Sequence, residues 1–432
     1  MAVKIAIIGG GSAYAPGVLN AFIHKADVFS GAEIALMDIA LDELNIVTKL
    51  GQKMALAANV PIKITATTDQ TQAISGADFV LSTFRQGGFE ARHLDESIPL
   101  LYDVIGQETI GPGGFFFAMR TLPVIQSILI DIKEYAPGAV LINYTNPTQI
   151  VAEAVSHFSD VPFVSICDQS KADLENILHA LNIPDAVVSL ESVGLNHATW
   201  STDFSINGED GVEVMSRQLD SVLNRDDVDN RVKTQFRLAN AFGRLPNSYL
   251  QYYYYREETL TEAKGKKQTR AQEILNTLPG YYQHFKDQTN QKNPQLKHVR
   301  GGSIFGDMAV EVMSSFLQND KIIHTLNVPN LGTLPGFDPD RIVEVPAYIE
   351  DRQIVPIPQD IMPSATIGLL NMLAAYQWLA AEAIIQGDRK ALEIALASNP
   401  LVLSLSKANQ LLDHMLPLIK PFIPQSFFSR WG

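Results

Sequence analysis

The first third of the chain alternates short apolar runs with longer stretches of helical spacing. Lys4–Ile8 is a run of strand length that ends at Gly9-Gly10-Gly11, and a helical stretch follows through His24. Glu33–Met37 is a second apolar run, closed by Asp38, after which Leu41–Leu56 returns to helical spacing. Ala77–Phe84, Ala139–Asn143 and Phe163–Ile166 read as further buried strands. A strand with one wet face would alternate apolar and polar positions. Continuous aliphatic and β-branched runs separated by helices instead predict a parallel sheet covered on both faces. This is the pattern of a doubly wound α/β fold.

After about residue 195 the rhythm changes. Asp203–Val214 predicts a small antiparallel excursion with a glycine-containing turn, and longer helical stretches follow. Arg256–Thr269 is charged and polar without periodicity, which predicts an exposed loop or lid, and Pro329–Pro339 reads as loop. Ile342–Ile349 and Gln353–Pro356 predict a strand pair turning at Asp351-Arg352. Ser364–Gly387 and Arg389–Ala397 are helical, with Gly387 as C-cap between them. The expected organisation is a Rossmann-like domain over residues 1–195 and a mixed α/β domain over 196–432 for substrate and oligomerisation.

Composition narrows the function classes. Of the 432 residues 46% are hydrophobic and 19% charged, which suits a packed globular protein rather than a disordered one. Lys and Arg number 33 against 47 Asp and Glu, a net charge of −14 that disfavours binding a nucleic-acid backbone. The longest apolar region, Met362–Ile385, is interrupted by Asn371, Gln377 and Glu382, so it predicts a buried helix rather than a membrane span. A single cysteine excludes an intramolecular disulfide and points to a reducing compartment. The N-terminal apolar run is too short for a signal peptide. A cytoplasmic protein with neither nucleic acid nor membrane as partner is expected.

Gly9-Gly10-Gly11-Ser12 stands between a strand and a helix, and Asp38 ends the next strand. Glycine allows a tight turn and close approach of backbone to a pyrophosphate, whose charge the helix N-terminus meets. An acidic residue at the end of the second strand suits the adenosine ribose hydroxyls and repels the 2′-phosphate of NADP, so NAD is the expected cofactor. Tyr14 occupies the place of the third glycine of G-x-G-x-x-G. The alternative reading is a simple tight turn. On this loop alone the chain would be an NAD-dependent 2-hydroxy-acid dehydrogenase.

Further polar clusters exceed what hydride transfer needs: Arg85–Gly88, Arg92–Pro99, Gly106–Gly114, Asn143–Pro147, Cys167-Asp168 and Gly194–His197. Those that directly follow strands fall where open α/β sheets place ligands. Each also has a plain structural reading. A lone cysteine is a small buried hydrophobe in most proteins, and Asp168 could cap the helix that follows it. The cluster of Tyr249 with Tyr252–Tyr255 could be packing or an interface.

Taken together, IAIIGGGSAY, ARHLDESIPL, IGQETIGPGG, NYTNP, ICD, GLNH, LPNSYLQYY, the RGG at Arg300–Gly302 and GDRKALEIALASNPL resemble glycoside hydrolase family four. These are NAD- and divalent-metal-dependent glycosidases, many acting on disaccharide 6-phosphates. The resemblance implies a fold like lactate and malate dehydrogenases, NAD and Mn²⁺ or another divalent metal as cofactors, and a homodimer or homotetramer. It implies elimination after oxidation of the sugar at C3, in place of the usual pair of carboxylates. By motif position Cys167 and His197 match the metal ligands. Tyr249 matches the C2 base, with Tyr252 as fallback, and Arg270 matches an arginine of the same site. Arg92 and Asn146 match sugar-binding positions, while Glu108 has no assigned role.

Cys167-Asp168 is the pairing typical of the family's 6-phospho-α-glucosidases, where the aspartate is a candidate acid for the leaving group. The following Gln169-Ser170 departs from the usual Met-Pro-Ile, and the LDESIPL and RTLPVIQSI segments suit the β-specific group equally. A 6-phospho-α-glucosidase acting on substrates such as maltose 6′-phosphate is the favoured expectation, with a 6-phospho-β-glucosidase as the alternative. Outside the family, a 2-hydroxy-acid dehydrogenase would make stoichiometric NADH. An inactive NAD-binding protein would release no sugar.

Overall fold

A computed structural model describes residues 2–298, Arg300 and residues 306–423; Gly301 and Gly302 of the RGG motif lie outside the described residues. Six parallel strands are β1 (Lys4–Ile8), β2 (Glu33–Met37), β3 (Lys63–Thr67), β4 (Phe79–Ser82), β5 (Val140–Asn143) and β6 (Phe163–Ser165), in the order β3-β2-β1-β4-β5-β6. Successive residues of β1 point to opposite faces. Ile5 and Ile7 enter one core, whereas Ala6 and Ile8 enter the other, so both faces are covered as the apolar runs predict. Strand order reverses between β1 and β4, which opens a crevice at their carboxyl ends. β3 has only Ile64 buried, and its sequence KITAT explains why it carries no apolar-run signal.

The sheet continues through strands that pair antiparallel. These are β7 (Val188–Leu195), β8 (Ala198–Ile206), β9 (Glu209–Asp210), β10 (His324–Pro329), β11 (Ile342–Glu350) and β12 (Gln353–Pro356). They extend β6 in the order β10-β11-β7-β8-β9, with β12 on the side of β11. Residue 195 therefore sits in a hairpin inside one continuous sheet. The expected excursion starts earlier than Asp203, at the β7–β8 hairpin, and its last part is the helix Gly211–Arg217. The β11–β12 hairpin turns at Asp351-Arg352 as expected, with both residues at positive φ.

Two helices, Pro112–Tyr135 and Ser364–Gln386, are long and apolar enough to cross a membrane, and 67% and 50% of their apolar windows are buried inside the protein. The first carries Arg120, whose guanidinium makes a bidentate, fully buried pair with Asp95 at 2.9 and 2.6 Å. Both are core helices here. Arg256–Gly265, expected as a loop, is a helix with no buried residue. It has no apolar stripe for periodicity to detect. Glu257 and Glu258 in its first turn and Lys264 in its last complement the helix dipole instead.

Candidate functional site

Gly9 and Gly10 both donate their amides to the Met37 carbonyl, at 2.9 and 2.8 Å, which presses the turn against the end of β2. Gly9 has φ +99, and a Cβ there would lie 2.5 Å from the Thr83 carbonyl oxygen, so no other residue fits. Asp38 accepts the Gly11 amide at 2.9 Å through Oδ2 and the Ala40 amide at 3.0 Å through Oδ1. Its carboxylate thus braces the loop, and each oxygen keeps a lone pair for an outside donor. Tyr282 donates its hydroxyl to the Gly11 carbonyl at 2.9 Å. Among the described residues the buried Ser12 hydroxyl has no hydrogen-bond partner, just ahead of the helix Ala15–His24. A glycine turn, a helix N-terminus and an orphaned hydroxyl fit a dinucleotide pyrophosphate.

A cleft of about 1150 Å³ brings together Arg92, Asn146, Cys167, Asp168, His197, Tyr249 and Arg270. Cys167 lies two residues past the end of β6. His197 lies in the two-residue turn between Leu195 of β7 and Ala198 of β8, with φ +60, a backbone region costly for a side chain of this kind. Cys167 Sγ and His197 Nε2 are 3.8 Å apart. Two donors on one ion stand at about this separation when metal–nitrogen and metal–sulfur bonds are about 2.0 to 2.3 Å. Burial pushes the Cys167 thiol well up and holds His197 down to about 4, so the imidazole is neutral and able to donate a lone pair. Among the described residues no group of three His, Cys, Asp or Glu side chains is assembled for a metal. The pair suits an open catalytic ion whose other positions take substrate oxygens or water.

Tyr249 sits in the short turn Ser248–Leu250, where Asn247 Oδ1 accepts its amide at 3.0 Å and Asp173 Oδ2 accepts the Ser248 amide at 2.8 Å. Its ring lies 4.3 Å from the His197 ring and 5.8 Å from that of Tyr252. Burial raises its hydroxyl above the usual phenol range, and Tyr252 and Glu108 add to this; Arg231 and Arg92 oppose it. Arg231, with its guanidinium 5.8 Å from the Tyr249 ring, comes from the helix Asn230–Phe242. Nothing in the spacing of that helix marks it. Arg270 lines the cleft, yet its side chain is 67% exposed and pairs with Glu273 at 2.8 Å.

Glu108 joins the site electrostatically. It takes Arg85 at 2.8 Å and Arg92 at 3.3 Å, and Arg92 also pairs with Glu96 at 2.6 Å. Burial raises the Glu108 carboxyl, but Arg85 and Arg92 outweigh it and bring it to about 2. Asp168 occupies the N-cap position of the helix Gln169–Ala180 without making a side-chain cap bond, and burial raises its carboxyl. Asn146 Oδ1 accepts from the Thr148 amide and hydroxyl at 3.2 and 2.9 Å. Glu344, which sequence spacing does not single out, is pushed by burial up to about 7 and accepts from Asn196 and Asn327.

Comparison with known proteins follows the same outline. The model of the family 4 glycosyl hydrolases matches residues 4–213, and that of the family's C-terminal domain matches residues 192–402. A probable 6-phospho-beta-glucosidase of Bacillus subtilis strain 168 is 34% identical over 99% of this chain and 98% of its own. A 6-phospho-alpha-glucosidase of Leptotrichia buccalis is 28% identical over 98% of both. Crystal structures of a 6-phospho-alpha-glucosidase from gut microorganisms superpose over 98% of this chain and 99% of theirs. The complex with NAD and Mn²⁺ has a TM-score of 0.86 at 24% identity, and that with NAD and glucose-6-phosphate 0.84 at 25%. Malate dehydrogenase of Plasmodium falciparum, at 14% identity and TM-score 0.52 over 89% of this chain and 98% of its own, shares the fold, as expected for a dehydrogenase-like sheet. Two adjoining family matches and a relative aligned end to end agree with the cleft, and the chain belongs to the family 4 glycosyl hydrolases.

Proposed function

We propose that this chain is an NAD- and divalent-metal-dependent 6-phospho-glucosidase. The observation that carries the reading is the Cys167–His197 pair, 3.8 Å apart, with the Tyr249 ring packed 4.3 Å from the imidazole. When bound, NAD⁺ accepts and later returns the hydride of sugar C3, and the metal polarises the adjoining sugar oxygens. Gly9–Ser12 and Asp38 hold the dinucleotide. Cys167 and His197 would hold the ion, and Arg92 and Asn146 would orient the sugar in the same cleft, with Arg270 at the outer wall. Tyr249 Oη takes the proton from C2, which an adjacent ketone acidifies. Arg92 and Arg231 favour the charged phenolate against its burial, and a cation bound beside it would favour it further. Asp168, whose raised carboxyl keeps a proton more readily, supplies it to the leaving oxygen.

Asp168 supports an α-linked 6-phosphate as substrate. A second reading, the β-linked one, is favoured by the 34% identity to the Bacillus subtilis relative against 28% to the Leptotrichia buccalis one. Elimination passes through no direct attack at C1, so one cleft is able to process either anomer. The test is hydrolysis of p-nitrophenyl α- and β-glucoside 6-phosphates with NAD⁺, Mn²⁺ and a thiol reductant, each omitted in turn, with unphosphorylated glucosides as controls. Release that needs both cofactors and the phosphate, with no net NADH, is expected, and the faster anomer decides between the two readings. Stoichiometric NADH would mark a dehydrogenase instead.

A further inference from the structure

The parallel and antiparallel parts of the sheet meet along one row of residues. Ser165 of β6 faces Asn327 of β10, Asn327 faces Glu344 of β11, and Glu344 faces Gly194 of β7. Cys167 follows the first of these by two residues, and His197 follows the last by three. The row therefore joins the two strands that lead to Cys167 and His197.

Its side chains form a directed network. Glu344, 3% exposed, accepts through one oxygen, Oε2, from Asn327 Nδ2 and from Asn196 Nδ2, each at 2.9 Å. Asn327 Nδ2 also reaches the Ser165 carbonyl at 3.3 Å. The backbone N–H of Asn196 donates to Gln149 Oε1 at 3.2 Å, which holds the turn from which the side chain extends. An oxygen that accepts two N–H groups leaves Asn196 one orientation, with its NH₂ toward Glu344. Asn196 Oδ1 then faces His197 Nδ1 at 2.5 Å, and an amide oxygen accepts only. The shared proton must sit on Nδ1.

We propose that Glu344 is a positioning residue for the Cys167–His197 pair: through Asn196 it fixes His197 as the Nδ1–H tautomer and leaves Nε2 bare toward Cys167. Its consequence for metal affinity rests on the reading of that pair as metal ligands, whereas the tautomer does not. Partners that orient a ligating histidine change metal affinity by ~10–100-fold when removed.

The experiment uses the full chain labelled with ¹⁵N-histidine and freed of metal, with long-range ¹H–¹⁵N spectra identifying His197 by comparison with His197→Gln. Wild type is expected to show a protonated Nδ1 and an unprotonated Nε2. Glu344→Ala is expected to mix the tautomers and weaken Mn²⁺ binding ~10–100-fold, read by electron paramagnetic resonance of free Mn²⁺ with NAD⁺ present. NAD⁺ affinity should stay within about twofold, which reports the fold. Glu344→Gln, which keeps one accepting oxygen, is expected to retain the Nδ1–H form and most of the Mn²⁺ affinity. A wild-type His197 protonated on Nε2 overturns the proposal, and so does wild-type Mn²⁺ affinity in Glu344→Ala. If Glu344→Ala does not fold, Asn196→Ala, which removes the link between Glu344 and His197, takes its place with the same two readouts and the same overturning result. Nδ1–H in a wild-type protein that binds no Mn²⁺ would sink the metal reading and leave the assigned tautomer standing.

Discussion

Tyr249 is held by its own amide on Asn247 Oδ1 and by the preceding Ser248 amide on Asp173 Oδ2; burial raises its hydroxyl, and Arg231 and Arg92 oppose that shift. Tyr249→Phe keeps the ring against His197 and removes only the proton acceptor. Its kcat is expected to fall ~10²–10⁴-fold with NAD⁺ affinity unchanged, and exchange of the C2 hydrogen with solvent deuterium, followed by NMR, should disappear. Exchange at the wild-type rate would move the base to Tyr252, 5.8 Å away. Glu344 gives a pH dependence. Its carboxyl lies at about 7 in the fold against 4.5 ordinarily, so it contributes stability that is fully present below pH 4.5 and lost as pH rises through about 7. The difference corresponds to about 3 kcal/mol. Metal-free Glu344→Gln escapes that loss. Between pH 5 and pH 8 it should therefore gain on wild type by up to about 3 kcal/mol, measured by urea denaturation at both pH values.

Among the elements, the β1 turn has no room for a side chain at its first glycine. Gly9→Ala would force a Cβ to 2.5 Å from the Thr83 carbonyl oxygen at a φ of +99, where an L side chain is strained by about 1–3 kcal/mol. Loss of stability of that order and at least a tenfold weaker NAD⁺ binding are expected, by denaturant melts and NAD⁺ titration; unchanged binding would separate this turn from the cofactor site. That turn was legible in sequence because its strand, glycines and Asp38 are consecutive or in register. The helix Arg256–Gly265 was not, since a helix with no buried face has no apolar period. β3 escaped for a related reason: as an edge strand with one buried residue, it looks like any polar stretch.

The whole molecule carries a net charge of −14, yet among the described residues eight Arg and Lys side chains line the cleft against three carboxylates, Glu96, Glu108 and Asp168. A local cationic field in an acidic protein draws an anionic substrate while the rest of the surface does not. KM for a 6-phospho-glucoside is therefore expected to rise with ionic strength. kcat should change little, and any residual turnover of the unphosphorylated glucoside should be insensitive to salt. Steady-state kinetics across a range of NaCl concentrations checks this, and equal salt dependence for both substrates would count against a phosphate held in the cleft.

Sequence alone determined the parallel sheet and the glycine turn with Asp38, and the family resemblance of its motifs pointed to residues that the cleft brings together, from Arg92 to Tyr249. These signals are local: an apolar run, a turn or a short motif is complete within a few consecutive positions. Tertiary structure decided which charges act on Tyr249, placing Arg231 and Arg92 around it and leaving the side chain of Arg270 mostly exposed. It also decided that Glu344, 147 positions beyond His197 in the chain, reaches it through Asn196. Electrostatic and hydrogen-bonding partners are set by distance in space. Residues far apart in the chain become neighbours only when strands β6, β10, β11 and β7 lie side by side.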